Sequence, residues 1–135
     1  MTVHFKKTSF LKSELKSLSI ARGIIREFLK LHNLDAKEID INLAVGEVLT
    51  NVLRYGFNGG ETKGLLKLTL QFKKSRISVT IEDNAPPSNP KTWKITDRLP
   101  TEGGHGLKLI YNLASKAEFE ATPNGNKAKL EFNLA

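Results

Sequence analysis

Two pairs of neighbouring segments alternate between apolar and polar residues, and this alternation constrains the fold more than any other feature of the chain. The first pair covers residues 66–72 and 77–81, and the second covers residues 117–121 and 128–132. The second pair flanks Asn124-Gly125, a dipeptide typical of tight hairpin turns. A period of two predicts strands with one covered face and one solvated face. The sequence therefore predicts two hairpins within one sheet.

Helical periodicity dominates the region before the first hairpin. Apolar residues at 11–29 recur three or four positions apart, and Asn33 is placed to end this helix in a left-handed conformation. Asp35 and Glu38 form a capping-box pattern, which predicts the start of a second helix that runs to about Tyr55.

The remaining segments complete the order of elements. A short edge strand is predicted at residues 3–6 and a short helix at residues 106–115. Residues 84–104 contain four of the five prolines and show no periodicity, which is typical of a loop that closes over an active site. The order β-α-α-β-β-loop-α-β-β predicts an α+β two-layer sandwich with helices on one face of a mixed, mostly antiparallel sheet. A length of 135 residues predicts one domain, residues 1–135.

Composition excludes several classes of protein. The chain has no cysteine, so it has neither disulfides nor a thiolate metal site. It also has no apolar run near the roughly 20 residues that a membrane helix needs, and we expect a cytoplasmic protein. The formal charge of +7 is scattered, with no basic run longer than two residues. It is explained by a solvated surface or an anionic ligand, and nucleic-acid binding is an alternative supported by charge alone.

The second helix carries the first candidate functional residues. Glu47, Asn51 and Tyr55 are four residues apart and therefore stack along one face, at the margin of the apolar stripe. A carboxylate there can act as a general base, and an amide oxygen one turn later can ligate Mg²⁺. An amphipathic helix with a surface Glu-Asn pair explains the same residues.

Two further motifs follow the first hairpin. Asp83 ends a predicted strand, where its carboxylate can accept a hydrogen bond from an exocyclic amine; an ordinary turn is the alternative. Gly103-Gly104-His105-Gly106 precedes a helix, and such glycines let backbone N–H groups approach phosphates; a flexible hinge is the alternative. The run lacks the ending of a Walker A loop.

Together, the three motifs resemble those of a known family. Glu47 to Asn51, Asp83 to Pro87 and Gly103 to Leu107 are similar to the N, G1 and G2 boxes of the Bergerat-fold ATPases. These ATPases include gyrase, histidine kinases and mismatch-repair ATPases. The short length and the Glu-x-x-x-Asn-x-x-x-Tyr-Gly pattern most resemble the stand-alone anti-sigma factor serine/threonine kinases. The resemblance covers nearly the whole chain.

The resemblance implies ATP and Mg²⁺ as cofactors and assigns roles to residues. Glu47 would be the catalytic base, Asn51 would coordinate Mg²⁺, and Asp83 would bind the adenine amine. Tyr55 stands where the family often has histidine. The nucleotide-binding residues implied are Asn51, Asp83, Ala85, Gly103, Gly104, His105, Gly106 and Leu107.

Three positions depart from the family pattern. Ala85 and Pro87 stand where the wider G1 pattern has glycines, and proline stiffens the loop. His105 stands where arginine is frequent, and its charge at neutral pH is only partial.

Two functions are consistent with these residues. The resemblance implies a kinase that phosphorylates a serine or threonine of an anti-anti-sigma (STAS-type) antagonist in a partner-switching pathway, and that binds a sigma factor as a homodimer. The altered G1 box favours an alternative, a non-catalytic module that sequesters a protein partner, with ATP as a structural ligand or absent. Neither function involves direct contact with nucleic acid or a membrane.

Overall fold

The computed structural model describes residues 3–87 and 106–134. In this part of the chain, five strands form one sheet and three longer helices pack against it. The strands are His4–Lys12 (β1), Leu65–Lys73 (β2), Arg76–Asp83 (β3), Lys116–Thr122 (β4) and Gly125–Asn133 (β5). The helices are Ser17–Leu31 (α1), Glu38–Asn51 (α2) and Gly106–Leu113 (α3).

The sheet has the order β1-β2-β3-β5-β4, and every neighbouring pair is antiparallel. Near the centre of the sheet, β3 pairs with β5, so that Val79 lies opposite Leu130 and Asp83 lies opposite Asn126. This register brings the end of β3 and the start of β5 to the same end of the sheet. The predicted α+β architecture is confirmed, and so is the predicted order of strands and helices.

The core lies between the helices and one face of the sheet. Strand residues facing the helices are buried: Leu66, Leu68, Leu70, Ile77, Val79, Ile81, Ala128, Leu130 and Phe132. Ile41, Val45 and Val48 supply the matching stripe on α2, as the helical spacing predicts. At about 25 cal/mol per Å² of apolar surface, burial of this kind is the main contribution to folding.

The first strand is longer than predicted, and the first helix starts later. Leu11 belongs to β1, where it pairs with Leu66 and is 7% exposed, and α1 begins only at Ser17. The expected strand at residues 3–6 is therefore the beginning of a nine-residue strand. The alternation is hidden because two polar residues, Lys7 and Ser9, share a strand face with Phe5 and Leu11.

The predicted capping box is wrong. Asp35–Lys37 forms a separate 3-10 turn, and α2 starts at Glu38 without a side-chain cap. The Glu38 carboxylate instead accepts a hydrogen bond from Arg26 Nε at 3.2 Å. Ile39, the second residue of α2, is 74% exposed. By contrast, Asn33 does end α1 with a φ of 57°.

Both hairpins are confirmed, with one shift in a turn. The β2–β3 turn places Lys74 and Ser75 at φ values of 53° and 58°. Two consecutive positive φ values match the right-handed twist of the strands that the turn joins. In the β4–β5 hairpin, Thr122 pairs with Gly125, so the turn is Pro123-Asn124 and Gly125 already belongs to the strand.

No helix within residues 3–87 and 106–134 is both long enough and apolar enough to cross a membrane.

Candidate functional site

The end of α2 places a mostly buried asparagine at the wall of a cavity. Asn51 is the last residue of α2, is 5% exposed, and is followed by a π-helical turn at Val52–Gly56. Within the described residues, its side chain makes no hydrogen bond. An asparagine amide offers both a donor and an acceptor, and a π-helical turn often accompanies a functional site. This amide is therefore suited to bind a ligand.

The end of β3 supplies a half-buried carboxylate with one oxygen engaged. Asp83 Oδ1 accepts hydrogen bonds from the Ala85 N–H at 2.9 Å and from Asn126 Nδ2 at 3.0 Å. Within the described residues, Oδ2 accepts none. Burial raises the pKa of Asp83 above its ordinary value of 3.8, while the two hydrogen bonds act in the opposite direction.

Asn51 and Asp83 line the same cavity, between the end of α2 and the β3–β5–β4 end of the sheet. The cavity holds about 490 Å³ of space free of protein atoms, part of it open to solvent. Most of its surface is apolar. The lining residues are Val48, Asn51, Val52, Gly56, Ile81, Asp83, Phe119, Glu120, Asn126, Lys127 and Ala128. A flat, largely apolar group that carries an amine fits these walls, with Asp83 as the acceptor.

Two glycines allow the backbone around Asp83 to pack closely. A Cβ at Gly125 would overlap the Asp83 carbonyl oxygen, so the hairpin reaches β3 only because residue 125 has no side chain. A Cβ at Gly56 would lie 2.7 Å from the Cβ of Ala85. Ala85 itself is 2% exposed and does not have a positive φ, so its backbone does not require glycine. The methyl group of Ala85 occupies the space that Gly56 leaves open.

Glu47 lines a different cavity from Asn51 and Asp83. Its side chain is half-buried in a groove between α1 and α2, beside Arg22, Asn42 and Thr50. No hydrogen bond or ion pair of its carboxylate is found within the described residues. The structure thus brings Asn51 and Asp83 together and places Glu47 one helical turn away, on a neighbouring surface.

A model of the histidine kinase-like ATPase domain family matches residues 11–132. The chain belongs to this family. The matched region runs from β1 to β5 and includes every residue of the cavity described above. A search of curated proteins found no match.

Solved structures with this ATPase fold support the assignment. The crystal structure of the RsbU and RsbW domains of Rv1364c from Mycobacterium tuberculosis has a TM-score of 0.70 and 18% identity, covering 96% of this chain and 32% of its own. The histidine kinase domain of the blue-light activated kinase EL346 from Erythrobacter litoralis has a TM-score of 0.57 and 19% identity, covering 87% and 61%. The Acinetobacter baumannii histidine kinase AdeS has a TM-score of 0.54 and 11% identity, and the match covers 95% of this chain and 68% of that one.

Identities this low show a shared fold and nothing finer. The ATPase domain described here spans about a third of the first of these chains, 32%, and 61% of the second.

The third motif of the ATPase domain is only partly described. Gly103, Gly104 and His105 lie outside the described residues, as does most of the loop predicted at residues 84–104. Gly106 is the first residue of α3, as the spacing predicts. Leu107 is half-buried and packs against the core.

One site residue was not predicted from the sequence. Asn126 lines the cavity and donates to Asp83, yet it belongs to no motif. Its position directly after the hairpin glycine is the only sequence signal that points to it. Within the described residues, no three His, Cys, Asp or Glu side chains form a cluster that could hold a metal ion.

Proposed function

We propose that this ATPase domain binds Mg-ATP and transfers the γ-phosphoryl group to a serine or threonine of a small antagonist protein, in a partner-switching pathway. One observation carries the nucleotide part of this proposal: Asp83 and Asn51 line one largely apolar cavity, and within residues 3–87 and 106–134 no hydrogen bond engages Asp83 Oδ2 or the Asn51 amide. Membership of the histidine kinase-like ATPase family supports the choice of ATP over other ligands.

Asp83 would hold the base. Its Oδ2 accepts a hydrogen bond from the exocyclic amine of adenine, while apolar residues such as Ile81 and Ala128 contact the ring. Ala85 contributes through its N–H, which holds the other carboxylate oxygen in place.

Asn51 would face the phosphates through a metal ion. Its amide oxygen is of the type that Mg²⁺ prefers, and Mg²⁺ in phosphoryl transfer usually takes one or two protein ligands together with phosphate oxygens and water. Bound Mg²⁺ would neutralise part of the phosphate charge. We assign the remaining phosphate contacts to backbone N–H groups of Gly103, Gly104, His105, Gly106 and Leu107.

Glu47 would act on the phosphate acceptor. In the proposed step, the Glu47 carboxylate takes the proton of the substrate hydroxyl, the hydroxyl oxygen forms a bond to the γ-phosphorus, and the bond from that phosphorus to ADP breaks. In the part of the chain that the structure describes, the Glu47 carboxylate has no ion pair, so it is available for this role. Its placement between α1 and α2 means that the acceptor approaches from that side of α2.

The partner assignment rests on likeness. The RsbW domain of Rv1364c has the same fold. The sequence motifs independently resemble those of the anti-sigma factor kinases. We therefore propose an anti-anti-sigma (STAS-type) protein as the phosphate acceptor, a sigma factor as the second partner, a homodimer as the active form, and the cytoplasm as its location.

Nucleotide binding is tested by thermal melts and calorimetry with Mg-ATP. A ligand at 100 times its Kd stabilises the native state by about 2.7 kcal/mol, so the wild type should melt at a higher temperature with ATP. Asn51→Ala should lose most of this shift, whereas Asn112→Ala, an exposed change on α3, should keep it. No shift of the wild type at millimolar ATP would contradict the proposal.

Phosphoryl transfer needs a second experiment. Wild-type protein, Glu47→Gln and the exposed-site control Glu27→Gln are incubated with labelled ATP and candidate antagonists. We expect transfer by the wild type and the control and a reduction of at least about 100-fold by Glu47→Gln, the usual contribution of a general base. Equal transfer by all three proteins would exclude Glu47 as the base.

A non-catalytic module is the second candidate, favoured by the separation of Glu47 from the cavity that contains Asp83. This candidate predicts that the protein captures a partner protein but transfers no labelled phosphate to it. ATP stabilises the fold if it is a structural ligand and has no effect if it does not bind. Glu47→Gln would then leave partner binding unchanged.

A further inference from the structure

Asn126 holds Asp83 from across the sheet. Its Nδ2 donates to Asp83 Oδ1 at 3.0 Å and to the Pro86 carbonyl oxygen at 3.2 Å. Both partners act as acceptors, so the group that faces them must be the NH₂ end of the amide. One amide group therefore ties the start of β5 to the end of β3 and to the segment that follows it.

The second donor on Asp83 completes this arrangement. The Ala85 N–H reaches the same oxygen, Oδ1, at 2.9 Å. Two donors on one oxygen fix the orientation of the carboxylate and leave Oδ2 as the acceptor within the described residues. Asp83 and Asn126 line the cavity together with three other polar residues, Asn51, Glu120 and Lys127.

We propose that Asn126 is a positioning residue that makes the site select a 6-amino purine over a 6-oxo purine. The proposal rests on the nucleotide binding proposed above. Asn126 acts through Asp83, by holding the carboxylate in an orientation and a charge state that only accept hydrogen bonds. A 6-amino group donates to such an oxygen, whereas a 6-oxo group presents a second acceptor and is repelled.

Asn126 also affects the charge of the Asp83 carboxyl group. Burial raises the pKa of Asp83, and the hydrogen bond from Asn126 lowers it again. Without Asn126 the carboxyl group would hold its proton to higher pH. A protonated carboxyl can donate to a 6-oxo group, so selection between the two purines would weaken at every pH at which the carboxyl is protonated. Glu120 of β4 and Lys127 of β5 are the other charged groups that line this cavity, and the variants described below leave both unchanged.

The first test compares the affinities for ATP and ITP, whose bases differ in the 6-substituent, amino or oxo, and in the adjacent N1, which carries a proton only in ITP. We expect the wild type to prefer ATP, and Asn126→Ala to reduce the ratio of the two affinities by about tenfold, since a hydrogen bond to a charged group is lost. Asn124→Ala is the matched control, because Asn124 is an exposed residue of the same hairpin; its ratio should equal that of the wild type.

Asn126→Asp extends the test with a side chain of the same shape. It places a second carboxylate next to Asp83, and two close carboxylates share a proton, so the ratio should fall further than in Asn126→Ala. If Asn126→Ala does not melt cooperatively, Asn126→Asp decides the question by the same ratio.

The second test needs no nucleotide. Titration of the Asp83 carboxyl carbon by NMR in the free protein should give a midpoint at higher pH in Asn126→Asp and Asn126→Ala than in the wild type or Asn124→Ala. If Asn126 only supported the fold, the Asp83 midpoints of the variants would not follow this order. The role of Asn126 alone would be overturned if the Asp83 midpoint did not change in the Asn126 variants. It would also be overturned if the wild type binds ATP but the variants keep its ratio of ATP to ITP affinity. A wild type that binds neither nucleotide would overturn the proposed function as well.

Discussion

At the scale of residues, the candidate site depends on three polar side chains from distant parts of the chain. Asn51 comes from a helix end, Asp83 from a strand end and Asn126 from a hairpin. The first two were predicted because their positions relative to an apolar pattern are unusual for polar groups. Asn126 could not be predicted, since its meaning depends on the register that sets it opposite Asp83. That register is a property of the folded sheet.

Asp83 should limit the stability of the free protein. Its pKa is higher in the folded protein than the ordinary 3.8, so the folded state binds its proton more tightly. The resulting stability is present below the unfolded pKa and is lost as the pH rises through the folded pKa. At neutral pH the ionised carboxyl therefore costs stability.

Asp83→Asn should consequently raise the melting temperature at pH 7 and lower ATP affinity by about tenfold or more. The asparagine carbonyl can still accept from Ala85 and Asn126, so the fold is kept. Melts from pH 7 down to pH 3 measure the effect, and the gain should vanish where the aspartic acid is protonated in both states. A lower melting temperature at pH 7 would contradict this reading.

At the scale of elements, periodicity predicted the long helices and both hairpins, and it failed where a second interaction competed. Glu38 forms an ion pair with Arg26 and does not cap α2. Leu11 continues a strand because it pairs with Leu66. Gly125 belongs to β5 because the backbone of Asp83 lies against it. Each failure concerns a contact between segments distant in sequence, and no local pattern contains that information.

Gly56 and Ala85 form one packing unit between the end of α2 and the segment after β3. Gly56→Ala would place its Cβ 2.7 Å from that of Ala85, and overpacking of this kind costs about 1–3 kcal/mol. Ala85→Gly in the same chain should restore much of the loss, because one methyl group again occupies the space. Denaturant unfolding of the two single variants and the double variant measures this coupling.

Gly23→Ala is the matched control for this pair. Gly23 lies inside α1, and a Cβ there meets nothing within 4 Å. The change should stabilise the protein by about 0.5–1 kcal/mol, the helix preference of alanine over glycine. Additive losses in the Gly56/Ala85 double variant would show that the two positions do not share space.

At the scale of the whole molecule, the sheet order links the site to the core. β5 lies between β3 and β4, so the residues that complete the cavity belong to the same strand as a central core residue, Leu130, which is 0% exposed. The general architecture could be predicted because alternating strands and amphipathic helices allow few arrangements. The position of β5 in the sheet could not, because its sequence does not identify which strand it pairs with.

Leu130→Ala should destabilise the protein by about 2–5 kcal/mol, as for other fully buried leucines. ATP affinity measured well below the melting temperature should change little, because Leu130 does not line the cavity. Calorimetry at low temperature and denaturant unfolding separate the two quantities. A loss of affinity larger than the loss of folded protein would show that packing around β5 tunes the site directly.

The place of β5 also has a kinetic consequence. It comes last among the five strands along the chain, yet β3 pairs with it, and Asp83 meets Asn126 only through that pairing. A nascent chain therefore lacks the complete cavity until β5 has been synthesised and inserted. A ligand of a site that forms this late cannot guide folding, so ATP should slow unfolding and leave the refolding rate unchanged.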